Sequence, residues 1–186
     1  MRTFLAILAT TFYFASLLPL QAQYFAIDSK STLTISGTSS MHDWESVSNE
    51  ITGGADVTLN ANNIENISTF KLSTPVKSIK SGKNKMDNLT YEALKEKSNK
   101  DISFTMTSVE KVEGDVIYVN GKLRIAGVTN NVKLKGTYTA TSKSISIEGN
   151  YKIDMTKYDV EPPTAMFGTI KVGKDVTVTY KIIMVV

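Results

Sequence analysis

The sequence predicts an all-β fold: an eight-stranded antiparallel β-barrel with one short helical insertion. Three observations carry that expectation. Beyond residue 30, apolar residues fall on nearly every second position, as in Asp175-Val176-Thr177-Val178-Thr179-Tyr180-Lys181-Ile182-Ile183-Met184. A strand's side chains alternate between two faces, so each run marks a strand with one apolar face and one wet face. About eight such runs follow one another with short breaks, enough to close a ring and remove unpaired edges. Only one stretch departs from period two, and it has helical spacing.

The chain opens with Met1-Arg2-Thr3, an apolar run from Phe4 to Leu20, and Gln21-Ala22. A positive start, an apolar middle and a small residue before the cut predict a secretory signal over 1–22, leaving a barrel domain over 23–186. A membrane span is the competing reading. Thr10, Thr11, Ser16 and Pro19 interrupt the run, and no positive flank follows it. The expected location is periplasmic or secreted, with nothing spanning a membrane after cleavage. The chain has no cysteine, so stability must come from burial and backbone pairing, and thiolate metal sites are excluded. A net charge of +3 with both signs interspersed gives no case for nucleic acid.

Taken in order, the runs give strands and a candidate cavity lining. Leu33 and Ile35 alternate with Thr32, Thr34 and Ser36. Val57 and Leu59 continue from Ala55, and Phe70 and Leu72 form the next run. Phe104 and Met106 follow Ile102. Val119, Leu123 and Ile125 extend from Ile117. Leu134, Gly136 and Tyr138 follow Val132. Ile147 and Tyr151 lie between Ile145 and Ile153, and Val178 and Tyr180 between Val176 and Ile182. Glu113-Gly114-Asp115 and Gly127-Val128-Thr129-Asn130 carry turn chemistry. The exceptional stretch is Met86 to Lys97, where Leu89, Ala93 and Leu94 have near-helical spacing and Asp87 or Asn88 can cap the start. Its apolar stripe is expected on the barrel wall or over one mouth, with Lys95-Glu96-Lys97 as its solvated face.

Several glycines share the apolar parity: Gly37, Gly53, Gly121, Gly136 and Gly149. Two compatible readings stand, that they let coiled strands bend, or that they leave volume inside. A barrel of this size is either filled by side chains or holds one small ligand. Its inward set is aliphatic, Phe, Met and Tyr. A hydrocarbon chain gains roughly 0.8 kcal/mol per buried CH₂ there, whereas each unpaired polar group of a sugar costs about 2 kcal/mol or more. The lining therefore favours a lipid. Tyr138, Tyr151 and Tyr180 each have a hydroxyl for a headgroup or for a structural hydrogen bond.

Two polar clusters remain. Gly37-Thr38-Ser39-Ser40-Met41-His42-Asp43-Trp44-Glu45 holds the only His and the only Trp. Adjacent His42 and Asp43 do not make a triad, and one His without spaced partners makes no metal site. The favoured reading is a loop closing onto the barrel mouth, with His42 and Trp44 near a headgroup. In the second cluster, Pro162-Pro163 stiffens a long loop before the last strand, where Met166 and Phe167 gate an opening or pack on it. No catalytic residue, metal or resident cofactor is expected.

Four motifs in order resemble the YceI-like family of secreted polyisoprenoid-binding proteins, particularly its Bacteroidetes branch. They are Ser31-Thr32-Leu33-Thr34-Ile35-Ser36-Gly37 running into the His42–Trp44 cluster, and Met86-Asp87-Asn88-Leu89-Thr90-Tyr91-Glu92-Ala93-Leu94. Gly121-Lys122-Leu123-Arg124-Ile125-Ala126-Gly127 and Pro162-Pro163-Thr164-Ala165-Met166-Phe167-Gly168 complete the set. The resemblance implies a lipocalin-like barrel that holds a long isoprenoid, such as a quinone tail or related amphiphile, without catalytic residues. The expected protein is thus a non-enzymatic carrier or store for an amphiphilic lipid, as monomer or homodimer. Its rivals are a filled barrel acting as a protein-interaction or envelope-stress module, a lipid hydrolase using His42, and an outer-membrane barrel.

Overall fold

The computed structural model describes residues 21–165 and 168–186. The expected leader, apart from Gln21 and Ala22, and both Met166 and Phe167 lie outside those residues.

The described residues form eleven strands: β1 (Gln23–Ile27), β2 (Thr32–Ser39), β3 (Trp44–Ser48), β4 (Thr52–Asn60), β5 (Asn63–Pro75), β6 (Asp101–Glu113), β7 (Val116–Ile125), β8 (Val128–Ala140), β9 (Ser144–Asp154), β10 (Thr164–Ala165) and β11 (Ile170–Val185). Among the same residues one helix, α1 (Asn84–Ala93), and two 3-10 turns, Val76–Ser78 and Met155–Tyr158, interrupt them. The eight strands β1, β4, β5, β6, β7, β8, β9 and β11 pair antiparallel in that order, and β1 closes the ring on β11. The barrel expected from the one-sided runs is therefore what the chain forms. β2 prolongs β1 along β11, and β3 pairs with β2 beyond the ring. The outer faces carry cross-strand ion pairs such as Lys133–Glu110 and Lys181–Glu148, so the greasy parity points inward. A membrane barrel has the reverse arrangement.

The two ends of the barrel differ. At one end lie the hairpin turns after β4, β6 and β8. Phe25, Val57, Ile145 and Met184 fill this end at 1 % exposure or less, each burial contributing roughly 1.5–3 kcal/mol. The Tyr138 hydroxyl ties it together, donating to Gly114 O and accepting from Ile64 N, both at 3.3 Å. At the other end β5, β9 and β11 run into α1, the 3-10 turns and β10.

Local structure departs from expectation at three places. α1 starts before Met86, because Gly82 (φ +77°) turns the chain and the cap position falls on Lys83, with no side-chain cap. Asp87 sits inside the first turn and reaches back to accept from Ser81 N and Oγ (2.8 and 2.6 Å). α1 ends as the chain reaches Lys95 (φ +54°), so Glu96 and Lys97 lie outside the helix. Glu96 then accepts from Lys100 Nζ at 2.8 Å, a contact that lowers its pKa. The β7–β8 hairpin turns on Ala126 and Gly127, one position earlier than the expected Gly127–Asn130 turn, with both residues at positive φ.

Candidate functional site

The barrel interior is hollow from its middle to the α1 end. An inner chamber of about 150 Å³ lies within the ring, and an outer one of about 400 Å³ lies above it. Ile35, Ile79, Ile102, Ile125, Ile153 and Val178 touch both chambers and form the junction. α1 walls the outer chamber with Met86, Leu89, Thr90, Ala93 and Leu94. The Tyr91 hydroxyl anchors that wall, reaching the carbonyls of Lys77 (3.0 Å) and Ile79 (3.1 Å). Tyr158, at the end of the second 3-10 turn, and Val160, just beyond it, also line this chamber. Burial, and then the nearby Tyr151 phenol, push the Tyr158 pKa up.

Fourteen of the residues expected inside do face the inner chamber: Leu33, Ile35, Phe70, Leu72, Phe104, Val119, Leu123, Ile125, Leu134, Gly136, Ile147, Tyr151, Val178 and Tyr180. Val57, Leu59, Met106 and Tyr138 do not. Val57 and Tyr138 are buried in the plugged end, and Leu59 and Met106 pack against that same cluster. The register shifts in the β4–β5 and β6–β7 pairs, beside Val57, Leu59 and Met106, break the simple period-two count. His42 and Trp44 line the outer chamber.

The inward glycines do not create this space. A Cβ on Gly37 would stand 2.5 Å from the Trp44 ring, one on Gly121 2.3 Å from Phe104, and one on Gly149 2.6 Å from the Tyr180 hydroxyl. At Gly136 the obstacle is Ile147, at 2.6 Å. The glycines let rings and neighbouring side chains lie flat on the wall, and the protein's own groups occupy the volume that the missing side chains vacate. Two of the three tyrosines have structural partners. Tyr180 donates to Lys135 O at 2.7 Å, its pKa pushed up to about 12 by burial, and Tyr138 binds the plug. Tyr151 has no hydrogen-bond partner among the described residues.

Polar groups concentrate on β3. Its inward residues are Trp44, Ser46 and Ser48, all lining one chamber or the other. Ser48 Oγ is 2.8 Å from Thr74 Oγ1 and 2.6 Å from Ser78 Oγ, and Ser78 donates to Pro75 O at 2.6 Å. This buried hydroxyl triangle and the Val47–Lys80 bridge join β3 to the chain after β5, where the β4–β5 pairing has ended. Inward serines invert the apolar signal, so β3 is invisible to a search for alternation.

His42 donates from Nδ1 to Asp43 O at 2.8 Å, since a carbonyl can only accept. Among the described residues no hydroxyl or carboxylate bonds its ring, and no group of three His, Cys, Asp or Glu side chains gathers for a metal. No helix of the described residues is long and apolar enough to cross a membrane.

The sequence that forms this barrel matches a known family model. The YceI-like domain model aligns to residues 24–184. The chain belongs to the YceI-like family. Solved structures with this fold include Burkholderia cenocepacia BcnA, at TM-score 0.70 and 16 % identity, covering 84 % of this chain and 98 % of that one. A polyisoprenoid binding domain from Saccharophagus degradans, implicated in plant cell wall breakdown, gives 0.68 at 12 %, covering 89 % and 99 %. The Campylobacter jejuni YCEI protein gives 0.61 at 14 %, covering 98 % and 97 %. At these identities the likeness is one of fold. No curated protein matches the YceI-like chain significantly.

Proposed function

We propose that this YceI-like protein is a non-enzymatic binding protein, exported to the periplasm or beyond. It holds one long-chain isoprenoid or similar amphiphilic lipid in its barrel. The carrying observation is the pair of adjoining chambers, whose shared lining is wholly aliphatic and whose outer part of about 400 Å³ falls in the range of ligand pockets. A tail threaded past Ile35, Ile125 and Val178 is desolvated along its length, at roughly 0.8 kcal/mol per CH₂. The polyisoprenoid-binding description of the Saccharophagus degradans domain supports the same ligand class. The expected leader supports the location.

The test is solvent extraction of protein purified from its native host, with mass spectrometry of the extract, followed by uptake of a polyprenol and a quinone by the emptied protein. A co-purifying isoprenoid and stoichiometric uptake are expected. An empty extract together with no uptake of either probe rules the reading out.

A further inference from the structure

We infer that the outer chamber selects an amphiphile whose headgroup is anionic, a phosphate or carboxylate, seated between Ser46 and the lysines that open α1. The inference rests on the lipid-binding reading and specifies the polar end of the same ligand.

The titratable residues lining the outer chamber are Lys83, Lys85, His42 and Tyr158, whose phenol burial keeps neutral, and among the described residues no carboxylate lines it. Neither lysine forms an ion pair among the described residues. Asp87, the acid nearest to them in sequence, is turned away to Ser81. Asp43 and Glu45, beside His42 in sequence, do not line the chamber.

These lysines also sit where a helix least tolerates them. Lys83 holds the cap position of α1, with no side-chain cap, and Lys85 lies in the first turn. Ser, Thr, Asp or Asn is preferred at a cap, and the positive end of a helix dipole repels cations. Local stability is thus given up at the edge of a cavity, a pattern expected of functional sites. A bound anion would satisfy both lysines and the uncapped N–H groups.

Ser46 is an independent pointer to a ligand. It is 2 % exposed and lines the outer chamber, yet its hydroxyl has no hydrogen-bond partner among the described residues. The hydroxyl is not sealed off, so within this apolar wall a headgroup oxygen can reach it as a partner. His42 lines the same chamber with Nδ1 committed to Asp43 O and no partner on Nε2 among the described residues.

The experiment compares headgroups on one tail. Emptied protein is titrated with farnesyl phosphate and with farnesol, and with palmitate and its methyl ester, at low and high salt. Each anionic probe should bind roughly tenfold tighter than its neutral partner, a preference that shrinks with salt. In the Lys83→Gln/Lys85→Gln variant the ratio should fall towards one, and Ser46→Ala should lower it further. A preference for farnesyl phosphate alone assigns the site to phosphates, and one for palmitate alone to carboxylates. Equal affinities within both pairs, or a ratio untouched by the double substitution, overturn the inference. If no probe binds at all, the lipid-binding reading falls with it.

Discussion

Trp44 lies flat across Gly37, its partner on the neighbouring strand, and donates its indole N–H to Thr38 O at 3.2 Å. The strand pair thereby presents an aromatic face to the outer chamber at the one place where the sequence has its tryptophan. Gly37→Val places side-chain atoms where the ring now sits. Displacing the ring should cost about 1–3 kcal/mol of stability and shift the emission of the single tryptophan. Chemical denaturation and fluorescence check both. Unchanged emission in a folded variant would show that the ring packs elsewhere.

Val178 stands at the junction and touches both chambers. Val178→Phe should obstruct the inner chamber while leaving the outer one open. Lipids with long tails should then lose about tenfold or more in affinity, and short-tailed ones much less. A chain-length series measured against both proteins reads this directly. A uniform loss at every length would place the tail outside the ring.

Ser48 holds the seam between β3 and the chain leaving β5 through its contacts to Thr74 and Ser78. Ser48→Ala removes two of the three contacts in the triangle and leaves Thr74 and Ser78 with each other and Pro75 O, at a cost of about 0.5–1.5 kcal/mol per lost bond. Hydrogen exchange should quicken at Val47 and Lys80, which bridge the same seam. A stability change confined to the α1 region would contradict this role.

Asp154 accepts from Lys174 Nζ at 2.6 Å and caps the turn that carries Tyr158, and these contacts hold its pKa down at about 2. Its folded value lies below its ordinary one. The stabilisation is therefore present above about pH 4 and disappears as pH falls towards about 2. NMR titration of the carboxyl should show the low midpoint. In Asp154→Asn the unfolding midpoint should vary less with pH over that window. A midpoint near the ordinary carboxylate value would dissolve the argument.

Much of the architecture is legible in the residues. The runs around Leu33, Phe104, Val119, Leu134, Ile147 and Val178 carry period two because the barrel has one dry face, and their parity places most of the lining. What escapes has identifiable causes. β3 turns serines inward, so its pattern reads as polar chain. Register shifts around Leu59 and Met106 break the count. Tyr138 has the right parity, but its depth along the axis puts it in the plug, and parity contains no depth. Much of the outer chamber's lining comes from α1, the second 3-10 turn, the residue after the first turn and the approach to β11. Ile79, Met155 and Val160 reach it from segments with no periodicity of their own, so only the fold brings them together.

The ring closes where β1 meets the far end of β11, through Ala26 with Val185 and Ile27 with Met184. Partners so distant along the chain find each other late in folding. Until the last residues of β11 reach β1 the ring has no seam, so neither hollow exists in a partial chain and both come into being together with the finished circle.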